Sequence, residues 1–164
     1  APLLKDIDIT LGFDERGQRV FLCGEDVSDK IRTPECSMAA SNVSALPKVR
    51  EFLLFIQKDI ASKNNCIMDG RDIGTVILPH AKIKIFLTAS AEDRAKRRHR
   101  ELLDKNIAVS FEDVLNEMNE RDKNDSSRAT APLKPAPDAI MTDTTGNTLE
   151  QSIDLIEKII TERL

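Results

Sequence analysis

The sequence predicts an α/β layer fold carrying a small antiparallel insert, and three observations support that class. Residues 46–164 alternate short apolar runs with stretches of helical period, the pattern of strands layered against helices. The runs "CIMD", "KIKIFLTA" and "AIMTDTT" are brief and nearly unbroken, as parallel strands buried on both faces should be. The first third instead alternates between turn signals, which is the mark of antiparallel hairpins.

Taken in order, "IDITLGF" alternates, "GQRVFLC" resumes after an Asp-Glu-Arg-Gly turn, and "GEDVSDKI" follows as a further strand. Thr33 has the chemistry of an N-cap and Pro34 that of a first helical residue, opening a helix to about Ala45. Pro47 opens the next helix. There Val49, Phe52, Leu53, Ile56 and Ile60 recur at helical spacing and predict one buried face. Between "CIMD" and "KIKIFLTA", Pro79 and its loop leave room for only a brief crossover. A charged helix is predicted over about Ala91–Lys105 and another over about Phe111–Arg121. "KNDSSRATAPLKPAP" reads as a polar, Pro-rich connection, and "AIMTDTT" as the last strand. Thr148 and Gln151 make a capping-box pair for a final helix with Leu149, Ile153, Ile156 and Ile160 as its stripe. No internal repeat is found.

Composition narrows the function classes. A chain of 164 residues suits one ordinary domain. With 40% apolar and 32% charged residues it is globular in character. No apolar run approaches the roughly 18 residues of a membrane span, so no membrane association is expected. A net charge of −4 argues against a general nucleic-acid binder. The absence of Trp and Tyr removes most stacking platforms for single strands. Cys23, Cys36 and Cys66 are odd in number, lack metal-type spacing and lie in apolar settings. Buried free thiols in a reducing cytosol are expected.

Chemistry concentrates in "DGRD". Ligands of open parallel sheets bind beyond the carboxyl ends of the strands, and Asp69 ends "CIMD". A carboxylate there could hold a hydrated Mg²⁺. Arg71 offers a fork for phosphate, and Asp72 an acceptor for a base or sugar. The same tetrapeptide is equally compatible with an ion pair that only orders the loop. In "EDRAKRRHR", Arg94, Arg97 and Arg98 share a helix face, with no acidic residue between Lys96 and Arg100. That is either a solvated charged face or a cluster able to neutralise phosphoryl oxygens. "ERDKNDSSR" adds Arg121, Asp125 and Arg128 at spacings of four and three, open to reading as a frayed helix end. A phosphate-cradling loop is not found. Gly12 and Gly17 have the right separation, but Gln18 and Arg19 replace the Lys and Ser/Thr, so the stretch reads as a hairpin turn.

"GEDVSDKIRTPE", "AASNVSALPKVRE", "DGRDIGTVILPHAKIKIFLTASAEDRAKRR" and "ERDKNDSSRATAPLKPAPDAI" together resemble bacterial-type cytidylate kinase, in order and over nearly the whole chain. The resemblance implies a P-loop nucleoside monophosphate kinase fold that transfers the γ-phosphoryl group of ATP to CMP or dCMP with Mg²⁺. It implies a monophosphate-binding insert at 1–45, α/β core at 46–93, a lid at 94–130 and a C-terminal core at 131–164. By position, Ser41, Arg50 and Asp72 match residues that recognise cytosine, and Arg71 a contact to the acceptor phosphate. Arg121, Asp125 and Arg128 match a group on the acceptor's sugar and phosphate, and Arg97 and Arg98 match lid arginines near the donor phosphates. Asp69 as an Mg²⁺-water ligand is inferred from its strand-end placement and not from the resemblance. A monomeric cytoplasmic enzyme is expected, with nucleotides and no nucleic acid or membrane as partners.

The departure from the family is at the start. Family members begin with a strand, a P-loop of Gly-x-x-Gly-x-Gly-Lys-Gly-Thr type and a helix, and carry an Asp-Ser-Gly-x-x-Tyr-Arg segment. This sequence opens at "APLLKDIDI", inside the monophosphate-binding insert. A polypeptide of these residues alone is expected to be inactive or nearly so, and to expose strand edges. Competing readings are a non-catalytic fragment or fused nucleotide-binding module, a related kinase with another acceptor, and a basic RNA-binding helix at Arg94–Arg100.

Overall fold

The computed structural model describes residues 2–44, 46–127 and 131–164. It divides into two units, 1–66 and 67–164.

The first unit is organised by a hairpin. Strands β1 (Ile9–Asp14) and β2 (Gly17–Leu22) pair antiparallel, from Ile9 opposite Leu22 to Asp14 opposite Gly17. Gly17 takes φ +98° at the turn, a conformation side chains resist. A two-residue strand β3 (Glu25–Asp26) lines the other edge of β2. "GEDVSDKI" therefore does not continue as a strand. Asp26 Oδ1 accepts hydrogen bonds from both the Ser28 amide at 3.0 Å and its hydroxyl at 2.6 Å. This local turn diverts the backbone from the ladder, and a 3₁₀ turn over Lys30–Arg32 follows.

Ser28 is fully buried, and its oxygen also accepts from the Val20 amide at 2.8 Å. Arg19, also buried, donates to Asp26 Oδ2 from Nε at 3.0 Å and Nη2 at 2.8 Å, and to Asp29 at 3.1 Å. The Ser28 hydroxyl and amide, with Arg19 behind them, hold the Asp26 carboxyl well below the usual carboxylate range. Helix α1 (Pro34–Ser44) begins where Thr33 Oγ1 accepts the Cys36 amide at 3.2 Å, as its N-cap chemistry predicts. Helix α2 (Pro47–Lys63) has Pro at its start. Its apolar face is only half-covered: Val49, Phe52, Leu53, Ile56 and Ile60 are all intermediate in exposure. A stripe at the right spacing is buried only as far as a neighbouring layer reaches it.

In the second unit, β4 (Ile85–Thr88) and β5 (Ile140–Asp143) pair parallel, Ile85 beside Ile140 and Thr88 beside Asp143. Parallel strands need a long crossover, supplied here by α3 (Ala91–Asp104) and α4 (Phe111–Ser127). Ser90 caps α3, its hydroxyl accepting from the Asp93 amide at 3.1 Å. Ala95, Leu102 and Val114 form a small buried core with Val109, Phe111, Leu115 and Met118 packed on it. Helix α5 (Leu149–Thr161) opens with the expected Thr148–Gln151 capping box. Its stripe is uneven, since Leu149 is 71% and Ile153 46% exposed.

Three sequence expectations are corrected. "CIMD" is not a strand: residues 65–69 have no regular structure and Ile67 is 93% exposed. A strand exists only with a partner for its backbone. Among the described residues β4 and β5 pair with each other alone. Next, α4 runs on to Ser127, so Lys123–Ser127 are helical and not part of a loose connection. Finally, the cysteines are free but not buried, with Cys23 and Cys66 exposed and Cys36 half-buried. Cys23 sits in a tight turn at φ +50°, past the end of β2, and Cys66 in the irregular segment. Apolar neighbours in sequence did not make apolar surroundings. Among the described residues no helix is long and apolar enough to cross a membrane.

Two measurements check this packing. Ser28→Ala leaves the Val20 amide without its buried acceptor and should cost about 1–3 kcal/mol in urea unfolding. Leu102→Ala should cost about 2–5 kcal/mol through the cavity it leaves between α3 and α4. Because the folded-state pKa of Asp26 is depressed, its contribution is present at neutral pH and lost on acidification. A thermal-melting series should therefore show the midpoint falling as pH drops below about 4.

Candidate functional site

The loop after the irregular segment is wound tightly before any side chain is considered. The Asp72 carbonyl accepts from the Val76 amide at 2.9 Å and the Ile77 amide at 3.3 Å, closing a π-helical turn over Ile73–Ile77. Gly70 allows this approach: a Cβ there would lie 3.0 Å from Ile73 Cγ1. The turn buries Asp72 and Ile77 and leaves Arg71 facing outward, its side chain 41% exposed.

Arg71 does not stand alone. Its Nε donates to Asp125 Oδ2 at 3.0 Å, across 54 residues of sequence. Asp125, on α4, has a side chain only 9% exposed. Arg121, one turn earlier on the same helix, brings its Nε to 4.0 Å from the same oxygen. One carboxylate thus faces two guanidinium groups. The side chains of Arg71 and Arg121 are both 41% exposed, so both reach solvent. Such an arrangement suits a phosphate, which takes planar N–H donors in pairs. Arg71 is thus ion-paired, though with Asp125 of another element and not with an aspartate of its own loop, and the pair is not sealed from solvent.

The arginines of α3 diverge. Arg94 donates from Nε to the Ala89 carbonyl at 3.1 Å and from Nη2 to Asp122 at 2.7 Å. Arg97 donates to the Thr144 carbonyl, on the loop that follows β5, at 2.6 Å and pairs with Asp93, one turn earlier on α3, at 2.5 Å. Arg98 pairs with Glu101 at 2.8 Å along the helix. Lys105 and then Arg98 lower the Glu101 carboxyl below its ordinary range. The lack of an acidic residue between Lys96 and Arg100 does not leave these cations without partners. Their acids lie one turn away or on another element, out of reach of a search confined to Lys96–Arg100.

In the first unit, Ser41 and Arg50 are joined through Ser44. The Ser44 hydroxyl donates to the Ser41 carbonyl at 2.9 Å, and Arg50 Nη1 donates to the Ser44 carbonyl at 3.3 Å. This joins the last turn of α1 to the start of α2. Arg128 lies outside the described residues. Asp69 is exposed, and among the described residues no three His, Cys, Asp or Glu side chains converge as a metal cage. A lone carboxylate fits Mg²⁺ only in its common mode, hydrated and held chiefly by substrate phosphates. Sequence reasoning missed Ser44 and Asp122. Asp122 was legible only as the acid beside Arg121 in "ERD", and Ser44 carried no signal.

The family model described as cytidylate kinase matches residues 1–162. The chain belongs to the cytidylate kinase family. It is 49% identical to the cytidylate kinase of Carboxydothermus hydrogenoformans over 158 residues, 96% of this chain and 71% of that protein. Against the cytidylate kinase of Fervidobacterium nodosum it is 49% identical over 160 residues, 98% of this chain and 73% of the relative. That of Shewanella putrefaciens is 47% identical over 159 residues, covering 97% and 69% respectively. Membership of the cytidylate kinase family accords with an α/β architecture that has one parallel and one small antiparallel sheet.

Coupling within the site is measurable without any ligand. In a double-mutant cycle on stability, Arg71→Ala and Asp125→Ala should be non-additive by about 1 kcal/mol, more than an exposed pair shows. Additive losses would mean that the pair contributes nothing to the fold.

Proposed function

We propose that this chain carries the acceptor-binding and lid parts of an enzyme that transfers the γ-phosphoryl group of ATP to CMP or dCMP. The observation that carries the reading is the Asp125 carboxylate set between Arg71 and Arg121, in a chain of the cytidylate kinase family. In this reading Arg71, Arg121 and Arg128 hold the acceptor phosphate, and Asp125 orients two of them and takes the sugar hydroxyls. Ser41, Arg50 and Asp72 read the cytosine edge. A base that leaves such groups unpaired is rejected, which is how a polar pocket gains selectivity. Arg97 and Arg98 neutralise the donor phosphates from α3, within a lid formed by 94–130. Bound Mg²⁺, with Asp69 reaching it through water, would spread charge over the β- and γ-phosphoryl oxygens. Phosphoryl transfer needs little covalent help from a protein, so positioning and charge are the work of these side chains. The reading places the enzyme in the cytoplasm as a monomer.

Calorimetric titration with CMP, dCMP, UMP and AMP tests the assignment. The cytosine nucleotides should bind most tightly, and a preference for AMP would sink it. Arg71→Ala should weaken CMP binding about 10–100-fold, the worth of a charged hydrogen bond, while the melting temperature falls by only about 2–4 °C. Unchanged affinity would remove Arg71 from the site.

A further inference from the structure

Helix α4 is held by different forces along its length. Its apolar residues Phe111, Val114, Leu115 and Met118 pack on the α3 core. Beyond Met118 the helix reads "NERDKNDSS", without one apolar side chain. That half carries Arg121 and Asp125, and hydrophobic packing cannot orient it. Polar contacts must do so. One is the Arg71–Asp125 pair of the site itself. Another is the Arg94–Asp122 pair at 2.7 Å, with the two side chains 32% and 34% exposed.

We infer that Arg94 is a positioning residue for the acceptor-phosphate cluster, acting through Asp122 on the rotation of α4. The inference rests on the functional reading above and adds a residue to it. Arg94 sits in the first turn of α3, and its Nε is fixed on the Ala89 carbonyl, immediately beyond β4. The other end of the same guanidinium holds Asp122. Asp122 and Asp125 are three residues apart, so they lie on neighbouring lines of one helix face. Holding the first fixes the direction of the second towards Arg71. A planar fork serves two partners at once, whereas an ammonium on a flexible stem is a single point charge.

The test compares the unmodified chain with Arg94→Ala, Arg94→Lys and Asp122→Asn, titrated with CMP and with cytidine, which lacks the phosphate. The ratio of CMP to cytidine affinity should fall about tenfold in Arg94→Ala and in Asp122→Asn. Combining these two substitutions should add little, and Arg94→Lys should recover part of the ratio by keeping the charge. Hydrogen exchange over residues 119–127 should accelerate in Arg94→Ala while residues 111–118 stay protected. An unchanged ratio, or CMP and cytidine affinities falling together with the melting temperature, would overturn the positioning role. If the unmodified chain binds no CMP, the functional reading fails and this role with it. The exchange pattern then still reports whether the clamp on α4 exists.

Discussion

Asp125 is the constraint on which the second unit turns. A carboxylate with a side chain only 9% exposed must be satisfied by its neighbours. Arg71 reaches it from the loop just before the π-helical turn, 54 residues away, and Arg121 from one turn earlier on the same helix. The pair therefore joins a loop to a crossover helix where no apolar contact could do the same. The Asp125 carbonyl extends this tie by accepting the Leu133 amide at 2.8 Å, which connects α4 to the segment leading to β5.

The same division of labour recurs through the molecule. Apolar packing holds the α3–α4 pair near their shared core, and polar contacts govern the parts that face a ligand. In the first unit, the buried Arg19 and Ser28 are tied together by the half-buried Asp26, where a larger domain would place aliphatic residues. Small cores cannot specify geometry by volume alone, whereas hydrogen bonds to buried groups are costly to leave unmade and so select one arrangement. At the loop after β5, Thr145 accepts the Ser90 amide at 2.9 Å and Arg97 holds the Thr144 carbonyl. The strand end and the helix start are thereby set by polar groups.

Much of this could be read in advance, for identifiable reasons. The caps at Thr33 and Thr148 and the hairpin at Gly17 depend on residues a few positions apart, and their chemistry is local. That "KIKIFLTA" and "AIMTDTT" hold parallel strands was legible in their unbroken apolar runs, although their pairing with each other was not. The site residues Arg71, Asp125 and Arg121 were legible as types suited to phosphate, and their family resemblance was visible in order along the chain. What misled was local context taken for tertiary context. Apolar neighbours around Cys23 and Cys66 suggested burial, and "CIMD" suggested a strand, but burial and pairing are properties of partners that a short window does not contain.

The sequence by itself determined where helices begin, where the first hairpin turns, which residues carry charge suited to phosphate, and membership of the cytidylate kinase family. Those properties reside in short-range chemistry and in the order of motifs. Only the tertiary structure decided that Arg71 meets Asp125 across 54 residues, and that the arginines of α3 diverge to three different partners. It also decided that α4 stays helical through Asp125. Long-range pairings depend on how elements stack, and side-chain direction on a helix depends on which neighbour supplies the counter-charge. Neither quantity is written in any stretch of adjacent residues.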